Sequence, residues 1–148
     1  MRSPTGARSG ILVGVMPERE KYPSVRELIA RIGVVDVGRR YVAAMRVGEE
    51  SDEYWAVESA LRHGRDGDDE PLPVDLRWEL ACASLDACET DEDFWRLGDG
   101  AFSSLWFEDG VLERMMETRA SNPNLRRLYA VMRRRLQAQG LTDGWWFH

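Results

Sequence analysis

The segment VDLRWELACASLDA, residues 74–87, constrains the fold more than any other stretch of the chain. At helical spacing Leu76, Leu80, Ala83 and Ala87 share one face. Trp78 and Leu85 lie roughly opposite, with Ala81 and Cys82 close to them. A helix that is apolar on two sides has to be covered from two sides. The helix predicted from about Pro73 to Glu89 is therefore central, with Glu79 and Asp86 on its remaining polar edge. It requires partners on both sides.

The rest of the chain supplies them. Pro23 and Ser24 open a helix with Val25, Leu28, Ile29 and Ile32 on one face, interrupted at Gly33. Asp36 is placed to cap a second, striped by Val37, Tyr41, Ala44 and Met45 and ending at Gly48. Ser51 or Asp52 caps a third, running through Tyr54, Val57 and Leu61 to Gly64. The segment RDGDDEPLP then reads as a loop. Thr90 or Asp91 caps a short helix carrying Phe94, Trp95 and Leu97 and stopping at Gly98. Asp99 caps the next, with Phe102, Leu105 and Trp106 inward, and Asp109 another, with Leu112, Met115 and Met116 inward. Asn122 followed by Pro123 starts the last helix, whose apolar face is Leu125, Leu128, Tyr129, Met132 and Leu136.

The prediction is an all-α fold of about six or seven helices, a bundle or a short stack of antiparallel helical hairpins. Its 148 residues are 43% hydrophobic and 31% charged, the balance of one folded domain. Residues 23–140 form that domain. Residues 141–148 are an aromatic tail, and residues 1–22 a loose tail or a single short strand. The apolar run Ile11 to Met16 is too short for a signal peptide or a membrane span, so a cytoplasmic protein is expected.

Catalytic and metal chemistry find little to stand on. The stretch RLGDGAFSSLWFEDG, Arg96 to Gly110, has the glycines of a phosphate loop but no lysine, and Ser103-Ser104 lacks the frame of a nucleophile elbow. Cys82 and Cys88 are too far apart on one helix for a disulfide and read as buried thiols. His63 and His148 are the only histidines, and no metal-ligand spacing arises. RDGDDE does not match a calcium loop. No enzyme activity, cofactor or metal is expected.

Charge is distributed in blocks. Residues 1–48 carry +5, residues 49–113 carry −16 and residues 114–148 carry +5. Part of this is internal complementarity between basic ends and an acidic middle. The functional reading is an acidic surface for a basic protein partner, formed by Asp66, Asp68, Asp69, Glu70, Glu89, Asp91, Glu92 and Asp93. Trp145 and Trp146 either dock on the domain or offer a partner anchoring aromatics. A net charge of −6 makes nucleic acid an unfavourable partner. The alternative is a helix-turn-helix regulator over residues 24–45, with Gly33 at the turn and Arg39 and Arg40 on the second helix.

From about Tyr41 to Leu136 the sequence resembles a bacterial all-helical family of domains of unknown function. The likeness rests on Asp-Glu-Tyr-Trp at 52–55, Leu-Gly-Asp-Gly at 97–100 and Asn-Pro-Asn-Leu-Arg at 122–126. It departs at Ala101-Phe102-Ser103, where the family has Pro-Leu-Glu. The resemblance implies a small helical protein and brings no activity with it. In character such proteins are similar to immunity proteins that neutralise toxins, so the basic partner would be a toxin or effector.

Overall fold

A computed structural model describes residues 23–67 and 70–148; the predicted tail of residues 1–22 lies outside the described residues. The fold is all-α. Helices α1 (Val25–Ile32), α2 (Val34–Val47) and α3 (Asp52–His63) are followed by α4 (Val74–Ala87) and α5 (Asp91–Leu97). Then come α6 (Ser103–Leu105), α7 (Val111–Arg119) and α8 (Pro123–Ala138), and a 3-10 turn at Trp145–Phe147. Within the segment expected to be a loop, β1 (Arg65–Asp66) and β2 (Glu70–Pro71) form a short antiparallel ladder, pairing Arg65 with Pro71 and Asp66 with Glu70.

Local chemistry sets most helix starts. The hydroxyls of Ser24, Ser51 and Thr90 accept from backbone amides of the first turns of α1, α3 and α5, and Asn122 does the same for α8. Three expected boundaries shift. Gly33 alone separates α1 from α2, with φ 91°, so Asp36 lies inside the first turn of α2 and does not cap it. Gly110, at φ 82°, precedes α7 in place of Asp109. That turns the inward stripe of α7 to Val111 and Met115, leaving Leu112 half-buried and Met116 44% exposed.

The third shift is at Leu97-Gly98-Asp99-Gly100. Gly98 does not stop α5: its φ of −66° and ψ of −42° are helical. The backbone widens into a π turn, Gly98–Phe102, and runs on into α6. Both glycines are there for space. A Cβ on Gly98 would collide with the Met132 thioether and lie 3.1 Å from Leu128 Cδ1. One on Gly100 would lie 2.9 Å from Nη2 of Arg62.

Helix α4 is central, in contact with α2, α3, α5 and α8. Leu80, Ala81, Ser84 and Leu85 are buried, whereas Trp78 and Ala83 are half-buried. The closest approach is at Gly38 of α2, where a Cβ would meet the Ala83 carbonyl carbon and the Ser84 nitrogen at 2.8 Å. Phe94, Leu97, Phe102, Leu105, Met115, Leu125 and Leu128 complete the core.

Arg77 is a buried charge within this core. Its Nε and Nη2 donate to the Leu61 carbonyl at 3.0 and 2.8 Å, Nη2 also to Ser104 Oγ at 2.8 Å, and Nη1 to Glu108 at 3.0 Å. One guanidinium thus takes up an orphan carbonyl near the end of α3 and ties it to α6.

Candidate functional site: the cleft between α2 and α3

Helix α2 ends at Gly48, whose left-handed φ of 75° turns the chain sharply. Glu49 and Glu50 follow, and Ser51 caps α3, whose first turn carries Asp52 and Glu53. The resulting hairpin encloses a cleft of about 590 Å³ lined by Arg40, Tyr41, Ala43, Ala44, Val47, Glu49, Ser51, Glu53, Tyr54 and Val57.

The floor is aromatic. Tyr41 and Tyr54 stack at 5.3 Å between ring centroids, and Trp55 meets Tyr54 edge-on at 5.4 Å. Behind them the Tyr41 hydroxyl donates to Glu58 Oε1 at 2.5 Å, and Arg62 Nε donates to Glu58 Oε2. Burial, reinforced by the Glu58 charge, pushes the Tyr41 hydroxyl well above the usual tyrosine range, so it remains a donor. Tyr54 is raised by the same two causes. For Arg62 burial works against the charge, but Glu58 outweighs it and the guanidinium stays protonated.

The rim is acidic. Glu53 accepts from Arg40 at 3.0 Å. Glu49 on the lining, and Glu50 and Asp52 beside it in the turn, have no cationic partner among the described residues. Val47, 74% exposed, adds an apolar edge. Aromatic faces beneath carboxylates suit a guanidinium or an ammonium group. The network below holds the rings in place.

The expected acidic surface is arranged differently. Asp66 is buried: it accepts from Ser24 Oγ at 3.0 Å and from the Val25 amide at 2.8 Å, with Arg26 Nε at 3.7 Å, and so completes the cap of α1. Asp93 is buried too, accepting from the Glu89 and Thr90 amides at 2.9 and 3.1 Å and from Arg46 at 2.8 Å. Neither faces a partner, because each satisfies backbone donors at a helix start. Asp91 pairs with Arg127 at 3.2 Å and Arg134 at 2.8 Å, and Glu92 with Arg96 at 3.1 Å and Arg135 at 3.0 Å. Glu89 is 76% exposed and 3.9 Å from Arg46. Glu70 is exposed on β2, and Asp68 and Asp69 lie outside the described residues. The chain's own arginines thus neutralise most of residues 89–93.

Trp146 is buried against Trp106 and Tyr129, and Trp145 stacks on Trp106 at 5.8 Å. The tail docks on the domain. Burial pushes the Cys82 and Cys88 thiols up to about 12. Arg39 pairs with Asp36 at 3.2 Å, and α2 buries Val37, Tyr41, Val42 and Met45. Among the described residues no three His, Cys, Asp or Glu side chains converge as metal ligands, and no helix is long and apolar enough to cross a membrane.

Fold and cleft together define an all-α domain with an acidic-rimmed aromatic cleft. No protein-family model, no curated protein and no solved structure matches the chain. The motifs behind the family resemblance fall at the start of α3, at the π turn and at the start of α8.

Proposed function

We propose that this protein is a non-catalytic binding module that takes an arginine or lysine side chain of a basic protein partner into the α2–α3 cleft. One contrast carries the reading. The acids of residues 89–93 are largely met by Arg46, Arg96, Arg127, Arg134 and Arg135, whereas Glu49 on the cleft lining, and Glu50 and Asp52 beside it in the α2–α3 turn, have no cationic partner among the described residues, the one arginine of the lining, Arg40, being paired with Glu53. Self-neutralised acids attract little; unneutralised ones beside an aromatic floor raise encounter rates and give a cation somewhere to sit. A basic toxin or effector, met in the cytoplasm, is the partner class such a surface suits.

The test is capture of partners from the native host, followed by association kinetics. Glu49→Lys, Glu50→Lys and Asp52→Lys together should slow association roughly tenfold or more at low salt. Asp91→Asn with Glu92→Gln should leave it nearly unchanged. A captured partner indifferent to the cleft reversals overturns the reading. So does sequence-specific DNA binding lost on changing Arg39 and Arg40, which would favour the helix-turn-helix alternative.

A further inference from the structure

An acid and an aromatic ring recur three residues apart at helix starts. In α4 and α5 an acid of the first turn is followed at that spacing by a ring: Asp75 and Trp78, Asp91 and Phe94, Glu92 and Trp95. Side chains three apart on a helix are neighbours on one face. Each of these pairs holds an arginine that meets both members. Arg114 bonds Asp75 at 2.9 Å and lies 5.6 Å from the Trp78 ring centre. Arg127 pairs with Asp91 at 3.2 Å and lies 4.7 Å from Phe94. Arg135 pairs with Glu92 at 3.0 Å and lies 5.3 Å from Trp95.

The arginines come from α7 and α8, so the motif acts between elements rather than within one. A guanidinium suits it because it is flat: its face can rest on a ring while an edge N–H reaches the carboxylate. Two other pairs share the spacing outside these helix starts, with their rings buried against other aromatics. Asp99 and Phe102 lie in the π turn, and Asp143 and Trp146 at the 3-10 turn.

Helix α3 opens with the same motif. Asp52 stands in its first turn, and Trp55 follows three residues later. No arginine of the described residues bonds Asp52 or lies over Trp55. The rings differ accordingly. Trp55 is 38% exposed, whereas Trp78 and Trp95 are half-buried and Phe94 is buried. Trp55 is held from one side by Tyr54, at 5.4 Å between ring centres.

We infer that Asp52 and Trp55 form a seat for an arginine side chain of a partner protein. The guanidinium stacks on the indole and donates to the carboxylate, as Arg114, Arg127 and Arg135 do within the chain. A lysine ammonium, a compact point charge, cannot spread over the ring and reach the carboxylate in the same way. The inference rests on the cleft reading in one respect, that a single basic partner presents the arginine. The seat itself lies beside the cleft, since neither Asp52 nor Trp55 lines it.

The test is an NMR titration of the isotope-labelled full chain with the capped peptides GGRGG and GGKGG, following the tryptophan indole N–H signals. Trp55→Phe assigns the Trp55 signal. The arginine peptide should move that signal and bind about two- to fivefold more tightly than the lysine peptide. Asp52→Asn should weaken the arginine peptide about two- to fivefold, and Asp36→Asn, which removes the same charge from α2, should not. Arg135→Gln uncovers the motif at Glu92 and Trp95, and the same peptide should then move the Trp95 signal as well. A Trp95 response without a Trp55 response overturns the seat on α3. Shifts confined to Ala43 and Val47 of the cleft lining also overturn it and leave the cleft reading standing, whereas no shift anywhere overturns both. Equal binding of the two peptides overturns arginine as the ligand class. Contact in the free protein between the Trp55 ring and an arginine of residues 1–22 overturns the partner.

Discussion

Gly38 and Gly98 both mark close approaches, but they differ in what stands opposite. At Gly38 the neighbour is the backbone of α4, with the Ala83 carbonyl carbon and Ser84 nitrogen at 2.8 Å from an added Cβ. At Gly98 it is the end of the Met132 side chain, which can swing away. Gly38→Ala is therefore expected to cost about 1–3 kcal/mol or more, and Gly98→Ala less, as read from urea midpoints. Asp93 makes a second residue-scale prediction. Burial alone would raise its carboxyl, but the Arg46 bond and the Glu89 and Thr90 amides outweigh it and hold the group at about 2. The ordinary value is 3.8, so the folded state binds this proton less readily than the unfolded chain does. The stability it contributes is present above the ordinary value and lost as pH falls toward 2, in all about 2 kcal/mol at roughly 1.4 kcal/mol per pH unit. Asp93→Asn should lower stability at neutral pH and flatten this part of the acid limb. An unchanged slope between pH 4 and 2 would assign the limb to other carboxylates.

Arg77 is where three elements meet. Truncating it leaves the Leu61 carbonyl, Ser104 and Glu108 short of a donor, so Arg77→Ala should cost about 3–5 kcal/mol in a denaturation experiment. Arg77→Lys should recover only part of that, because an ammonium group cannot reproduce the guanidinium fork. The contact between α5 and α8 poses the opposite case. Its ion pairs, Arg127 and Arg134 with Asp91 and Arg135 with Glu92, join half-exposed side chains, each worth about 0–1 kcal/mol. Leu128, beneath them, is fully buried. Leu128→Ala should cost about 2–5 kcal/mol and Asp91→Asn with Glu92→Gln together about 1 kcal/mol. A double variant more damaging than Leu128→Ala would mean that charge, not packing, holds α8.

For the molecule as a whole, the charge blocks bring basic α8 against acidic α5 and leave a second acidic group at the turn between α2 and α3. Binding at the cleft should accordingly slow with added salt, over a Debye length of about 8 Å at physiological ionic strength. The helices, most of their caps and the core positions Leu80, Leu85, Phe102, Leu105 and Trp106 were readable from the sequence, because spacing and capping act over a few residues. So was the all-α class, since apolar stripes at helical spacing recur from α1 to α8. Tyr41 was legible as a core residue; its bond to Glu58 was not, for it joins two helices whose relative placement no local rule states. Nor was it legible that Gly98 and Gly100 make room for Met132 and Arg62 when glycine after a helix so often ends it. The same limit applied to charge. Composition determined that an acidic middle exists, but only the packing of α8 on α5 decided which carboxylates meet arginine and which remain free, because ion pairing depends on distances between segments far apart in sequence.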